Sequence, residues 1–288
     1  MISPGRARRA AAGPGPGGNG VVAMAASVSV AGVRLAYETA GAGDPPMIFV
    51  HGWACDRSYF APQFRHFAAD HAVVAMDLRG HGESSQPAPG PGIYDIDVMA
   101  GDVLAVAEAA GPGAPVLVGH SLGALIGLAC AARAGAIRAL VMVDPAPITN
   151  ERAKAFFRES VGAVAADDTG AWRVKFVEGM FLPTDRVKRA AIIGQMPSTP
   201  PGIAAGIMRA MGEFDDSTLA RATVPVVSIG SAVPANASAD LRRLCPAIAI
   251  GQTVGAGHFN QLEVPDQVNA MIERFLVVNG LSTRSQVA

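Results

Sequence analysis

The chain is poor in the features that would announce several classes of protein. Its 288 residues hold three cysteines, Cys55, Cys130 and Cys245. They are widely spaced and odd in number, so neither a disulfide framework nor a Cys-x-x-Cys metal knuckle is suggested, and a reducing, cytoplasmic setting fits them. Charge is scarce and balanced: 23 Lys and Arg against 24 Asp and Glu leave a net charge of −1 and no field to draw in a polyanion. Beyond Arg6 to Arg9 there is no basic block, which speaks against nucleic acid as a partner. Nowhere do about 18 uncharged apolar residues follow one another, so no membrane span is predicted. Internal repeats are absent.

What is present is enough apolar residue for a core, 50% of the chain, punctuated by 33 glycines and 21 prolines. The length suits one large α/β domain with an insertion. Residues 1–23 are rich in Gly, Pro and Arg without apolar periodicity and read as a disordered tail. Glycine and proline over residues 13–20 interrupt the run that a secretory leader needs. Met24 opens an alternating segment, and a natural start there would leave the first 23 residues untranslated.

Residues 28–30 and 33–38 alternate around Ala31-Gly32, predicting a β-hairpin. Residues 47–50, 73–76, 116–118, 140–143 and 226–229 are short and almost wholly apolar, as expected of parallel strands covered on both faces. Helical patterns at 96–110 and 122–134 alternate with them. From Pro147 to Thr223 the alternation stops, and this interval reads as a helical cap inserted into a core of residues 24–146 and 224–288.

The most informative stretch runs from Pro115 to Ala124. An apolar strand enters Gly119-His120-Ser121-Leu122-Gly123 and continues directly into an alanine-rich helix. Strand, Gly-x-Ser-x-Gly and helix together put serine on a turn with room only for small neighbours, and the context matters more than the bare motif. Such a turn lifts the Ser121 hydroxyl above the sheet edge as a nucleophile. The Leu122 N–H, at the helix N-terminus, is aimed at developing negative charge.

With these residues the sequence resembles the α/β-hydrolase family, over residues 28–278. Phe49-Val50-His51-Gly52-Trp53 is similar to its oxyanion loop, residues Asp77 to Ser84 resemble its structural D-x-R-G-x-G-x-S turn, and Gly255-Ala256-Gly257-His258-Phe259 resembles the segment that presents its catalytic histidine. The resemblance implies an eight-stranded, mostly parallel sheet flanked by helices, with a cap after the sixth strand. It also implies that the amides of Trp53 and Leu122 form the oxyanion hole.

Serine needs a base. His258, between an apolar run and a C-terminal helix, is free to reach the sheet edge and is the expected base. His51, His81 and His120 read as structural, and His66 and His71 as solvated or core. The acid departs from the family pattern: an Asp is usual three residues beyond the glycine that ends the seventh strand, and here Gly230 is followed at that place by Val233. Two carboxylates keep the chain order of serine, acid and histidine. Asp144, ending the sixth strand, is the first candidate and Asp240 the second, each with an ordinary alternative role as a strand stop or as a helix first-turn residue. Glu263 reads as a residue that begins or solvates the last helix. The Trp53 indole reads equally as a pocket wall or as core, and Cys55 as small apolar filler.

The interval 147–223 carries Phe156, Phe157, Trp172, Phe176, Met180, Phe181, Met196, Met208, Met211 and Phe214, side chains suited to an apolar acyl or alcohol group. The expected activity is cleavage of small to medium, mainly apolar carboxylic esters or lactones through an acyl-enzyme, without metal or organic cofactor and with a small-molecule substrate as the partner. Serine at the elbow disfavours dehalogenase and epoxide hydrolase chemistry, whose relatives place Asp there. The alternatives are a carbon–carbon bond hydrolase or perhydrolase, and a small-molecule sensor with little turnover, which Val233 favours.

Overall fold

A computed structural model describes residues 22–183, 189–195 and 198–282. The reading of the first 21 residues, and Met196 among the large apolar side chains, lie outside them. In chain order the strands are β1 (Met24–Val30), β2 (Val33–Ala40), β3 (Met47–Val50), β4 (Val73–Met76), β5 (Val116–His120), β6 (Ala139–Val143), β7 (Val226–Gly230) and β8 (Ala249–Gln252). The helices are α1 (Ala61–Phe67), α2 (Ile96–Ala110), α3 (Leu122–Ala131), α4 (Glu151–Ala165), α5 (Ala171–Glu178), α6 (Arg189–Gln195), α7 (Pro201–Gly212), α8 (Ser217–Ala220), α9 (Ser238–Leu244), α10 (Asn260–Glu263) and α11 (Pro265–Val278). None of those described is long and apolar enough to cross a membrane.

The strands form one sheet in the order β1-β2-β4-β3-β5-β6-β7-β8. The opening hairpin turns through Ala31 and Gly32, both at positive φ (48° and 82°), as a two-residue turn matched to strand twist requires. β2 meets β4 antiparallel, and every pairing from β4 to β8 is parallel. The expected eight-stranded, mostly parallel architecture is therefore what the chain adopts.

Strand side chains alternate between two cores. Ile48, Val50, Leu117, Leu140 and Met142 face a cluster completed by Met99 and Val103 of α2, Leu125 of α3 and the apolar residues of α4 and α7. Met47, Phe49, Val118, Val141 and Ile229 face a second cluster with Phe64 and Phe67 of α1 and Ile272 and Phe275 of α11. Burial on both faces explains why these strands are continuous apolar runs. α4 to α8 all lie between β6 and β7 in the chain, and Phe157, Phe176 and Met211 from these helices share a cavity with Trp53 and Ser121 of the loops that leave β3 and β5.

Close packing under the turn after β5 depends on two glycines. A Cβ on Gly119 would sit 2.2 Å from the Gly123 carbonyl oxygen, and one on Gly123 would sit 2.1 Å from that of Val50. Backbone meets backbone there, so neither partner can swing away. Gly123→Ala is expected to destabilise the protein by about 3 kcal/mol, the upper end for overpacking, read as a fall in the thermal midpoint.

The turn at residues 77–84 is structural. The Asp77 carboxylate accepts from the Arg57 side chain and from the amides of Arg57 (2.8 Å) and Glu83 (2.9 Å), while Arg79 grips Asp102 through two bonds of 2.5 and 2.7 Å.

Candidate active site

Among the described non-glycine residues four adopt positive φ: Ala31 (48°), Ala54 (54°), Ser121 (53°) and Asp144 (35°). Apart from the hairpin residue Ala31, all sit on loops at the C-terminal edge of the sheet, where backbone strain marks candidate functional positions. Ser121 links β5 to α3 and is buried, its amide tied to the Val143 carbonyl at 3.1 Å. Leu122 is the first residue of α3, so its N–H has no carbonyl four residues back within the helix.

The loop after β3 comes within touching distance of this turn. A Cβ on Gly52 would lie 2.8 Å from His120 Nδ1 and 3.2 Å from the Ser121 Cβ, so the close approach of this loop to the serine turn leaves no room for a side chain at position 52. Two histidines brace the loop. His51 Nδ1 donates to the Gly52 carbonyl (2.8 Å) while its Nε2 accepts from the Leu78 amide (3.0 Å). His81 Nδ1 donates to the Arg79 carbonyl (3.0 Å) and its Nε2 accepts from the Ala54 amide (3.1 Å). Burial holds both rings neutral, depressed to about 4 for His51 and about 3 for His81.

His258 lies between β8 and α10, and its backbone is held from several directions. Its N–H donates to the Met180 carbonyl (3.0 Å) of the inserted segment, and its own carbonyl accepts from His120 Nε2 (2.9 Å). The flanking amides of Gly257 and Phe259 both donate to Glu263, at 3.0 Å to one carboxylate oxygen each. The expectation that Glu263 begins or solvates the last helix is therefore corrected. It closes the short α10, and that single turn points its carboxylate back at the histidine loop. The spacing of five residues from His258 was the only sequence signal, and it needed α10 to acquire meaning.

The ring of His258 meets Asp144, with Nδ1 2.7 Å from Oδ2, and the other carboxylate oxygen accepts from the Ser231 amide at 2.8 Å. Asp144 is almost wholly buried. The second candidate acid is not brought there: Asp240 occupies the first turn of α9 and lies 3.6 Å from Arg243. Val233, where the family pattern would place an acid, is 76% exposed.

Two cavities meet at Ser121 and His258. An inner recess of about 20 Å³ is bounded by Trp53, Cys55, Val177 and Met211, and an outer cleft of about 400 Å³ by Asp144, Phe156, Phe176, Phe181 and Val233. Neither has a Lys or Arg among its described lining residues. Trp53 is buried and lines the recess, and its indole Nε1 donates to the Ala204 carbonyl of α7 at 2.8 Å. Burial pushes the Cys55 thiol well above its ordinary range, which leaves it a small apolar wall rather than a thiolate. His66 pairs with Glu273 (2.9 Å) and His71 Nδ1 bonds the Pro45 carbonyl (2.9 Å), outside both cavities. Among the described residues no three His, Cys, Asp or Glu side chains cluster so as to hold a metal ion.

The sheet order, the strained serine turn and the histidine–carboxylate pair at one edge define a class. The chain matches the sequence model of the alpha/beta hydrolase family over residues 47–271 and belongs to that family. It is 27% identical over 265 residues to 2-(acetamidomethylene)succinate hydrolase of Mesorhizobium japonicum, covering 86% of this chain and 94% of that protein. It is 37% identical over 94 residues to a non-heme chloroperoxidase of Streptomyces lividans, covering 32% of this chain and 33% of that protein. Among solved structures it is similar to the enol-lactonase from Burkholderia xenovorans LB400, with TM-score 0.74, 24% identity and coverage of 87% and 99% of the two chains. The thermophilic esterase from Thermogutta terrifontis superposes with TM-score 0.76 at 23% identity, covering 91% and 99%. At such identities these structures speak to the fold alone.

Proposed function

We propose that this protein is a serine hydrolase that cleaves small to medium, mainly apolar carboxylic esters or lactones through an acyl-enzyme. The observation that carries the reading is the contact between His258 and a doubly held Asp144, set at a cavity that Ser121 also lines. In this reading Asp144 fixes the imidazole with its proton on Nδ1. Nε2 takes the Ser121 proton as the hydroxyl attacks the carbonyl, and the amides of Trp53 and Leu122 receive the oxyanion. His258 then protonates the leaving oxygen, and water activated by the same ring releases the acid. The chain supplies every group these steps need, so the chemistry requires neither metal nor organic cofactor. The helices from α4 to α8 serve as the cap, and a small molecule is the partner.

The named relative's substrate, a succinate, carries two carboxylates. With no described cation facing either cavity, a neutral ester suits this site better than a dianion. The sensor reading rests on Val233, and in the present reading Asp144 supplies the carboxylate that position 233 lacks. Carbon–carbon bond hydrolysis and perhydrolysis would use the same three side chains. A panel of chromogenic esters, lactones and a β-diketone, assayed against wild type and Ser121→Ala, tests the proposal. Ester or lactone cleavage at least a thousandfold above the alanine variant is expected, and equal rates on all of them would overturn it.

Glu263 acts through the histidine loop. Glu263→Ala frees two amides that fix the height of the imidazole, and kcat is expected to fall ten- to a hundredfold with KM little changed. Glu263→Gln, which keeps one acceptor, should fall between. Steady-state kinetics beside a thermal midpoint separate this from unfolding.

A further inference from the structure

The two cavities that meet at Ser121 are very unequal, and the direction of attack decides which part of an ester enters each. We infer that the substrate is an ester of an acetyl-sized acyl group with a bulky, apolar or aromatic alcohol; the inference rests on the serine-hydrolase reading above.

When the serine oxygen adds to the carbonyl, the oxyanion must point toward the Trp53 and Leu122 amides, and the leaving oxygen must come within reach of the His258 imidazole to be protonated. The alcohol therefore departs on the histidine side and the acyl group lies on the other. Both cavities touch His258, but only the cleft continues along the histidine loop, where Asp144, Ser231, Val233 and Gly257 line it and leave room for a leaving alcohol. The recess lies against the oxyanion loop, with Trp53 and Cys55 in its wall and Met211 of α7 across from them.

Size then sets the class. A cavity of about 20 Å³ accepts one group about as large as a water molecule or a methyl. Its walls are fixed: the Trp53 indole is bonded to α7 through Ala204 and stands edge-on to Phe176 at 5.8 Å, and Met211 is buried. An acyl chain longer than acetyl would have to displace α7 or turn out of the recess. The cleft, at about 400 Å³, lies in the range that holds a whole small ligand. It offers aromatic faces, with Phe156 stacked on Phe176 at 5.7 Å and on Trp172 at 6.3 Å, and Phe156 itself 44% exposed. A lactone carries its acyl carbon and leaving oxygen in one ring, so of the two substrate classes proposed above the unequal spaces favour the open-chain ester.

The test is the ratio of kcat/KM values across p-nitrophenyl acetate, butyrate and octanoate, each divided by its rate with hydroxide, together with 2-phenylethyl acetate against ethyl acetate. Acetate is expected to exceed butyrate at least tenfold and octanoate a hundredfold, and the phenylethyl ester to exceed the ethyl ester at least tenfold. Met211→Ala, which deepens the recess, is expected to raise the butyrate-to-acetate ratio at least tenfold; Met211→Val, a smaller step, should move it the same way if the alanine variant fails to fold. Octanoate cleaved faster than acetate, or a ratio unmoved by both substitutions, would overturn the assignment while leaving a serine esterase in place. No ester cleaved faster than by Ser121→Ala would instead bring down the hydrolase reading and this inference with it.

Discussion

Asp144→Asn is expected to lower kcat on a cleaved ester by about four orders of magnitude while the fold survives. The geometry dictates which proton goes wrong. One oxygen of the carboxylate accepts from the Ser231 amide at 2.8 Å, and the other receives His258 Nδ1–H at 2.7 Å. Asparagine keeps its oxygen where an N–H must be met, at Ser231, and so presents its NH₂ to the ring. Nδ1 can then only accept, the proton moves to Nε2, and the nitrogen that should take the serine proton is already occupied. The backbone does not object, because Asp144 sits at φ 35° and asparagine tolerates that region as well as aspartate does. In the proposed mechanism serine, histidine and acid work as a unit, so Asp144→Asn combined with Ser121→Ala should be no slower than Ser121→Ala alone. Asp240→Asn, on an exposed turn of α9, should leave turnover within a factor of two. Steady-state rates on purified variants, with circular dichroism to verify folding, decide the matter; the reverse ranking of the two aspartates would reassign the acid.

The parts of this site that local chemistry dictates were legible in the chain. Gly119, Ser121 and Gly123 sit between an apolar strand and an alanine-rich helix, and every clash that makes those glycines necessary lies within the turn or one strand away. The parallel strands were legible for a similar reason, since burial on both faces leaves no polar position in β3, β4 or β6. Asp144 was a matter of topology: a carboxylate at the end of β6 reaches His258 only because β5, β6 and β7 are neighbours, which the sequence alone left open against Asp240. Glu263 escaped because its partners are backbone amides, invisible to any reading of side-chain types, and because α10 is a single turn. The large side chains of residues 147–223 were recognisable as apolar, but whether Met211 faces the recess while Phe156 faces the cleft depends on how α4 and α7 pack on each other.

Acidification from pH 7 to pH 5 is expected to remove at least about 4 kcal/mol of folding stability, a large part of the whole margin of many domains. Three buried histidines are responsible. Desolvation, the largest cause in each, holds His51 down at about 4 and His81 at about 3, and pushes His120 well below the ordinary value; nearby Arg57, His51 and His258 respectively act in the same direction. In the unfolded chain each ring titrates near 6.5, so between that value and about 4 the unfolded state binds protons that the fold refuses. Stability is thus fully present above pH 7 and is lost as pH falls through this window, by about 2 kcal/mol at pH 5 for each of His51 and His81, with His120 acting in the same direction. The hydrogen bonds give the same sign independently. His51 and His81 each use Nε2 to accept from a backbone amide, of Leu78 and Ala54, and a proton placed there would set donor against donor. His120 spends its one N–H on the His258 carbonyl, and its Nδ1 is buried with no partner for a second proton. Denaturant midpoints measured at half-unit steps of pH should therefore steepen below pH 6.5 toward a slope of three protons taken up on unfolding. A profile flat from pH 7 to pH 5 would show that the rings are not held neutral. Because His51 and His81 brace the loop that presents the Trp53 amide, activity should fail with the fold in that window, and the loss should reverse on return to neutral pH.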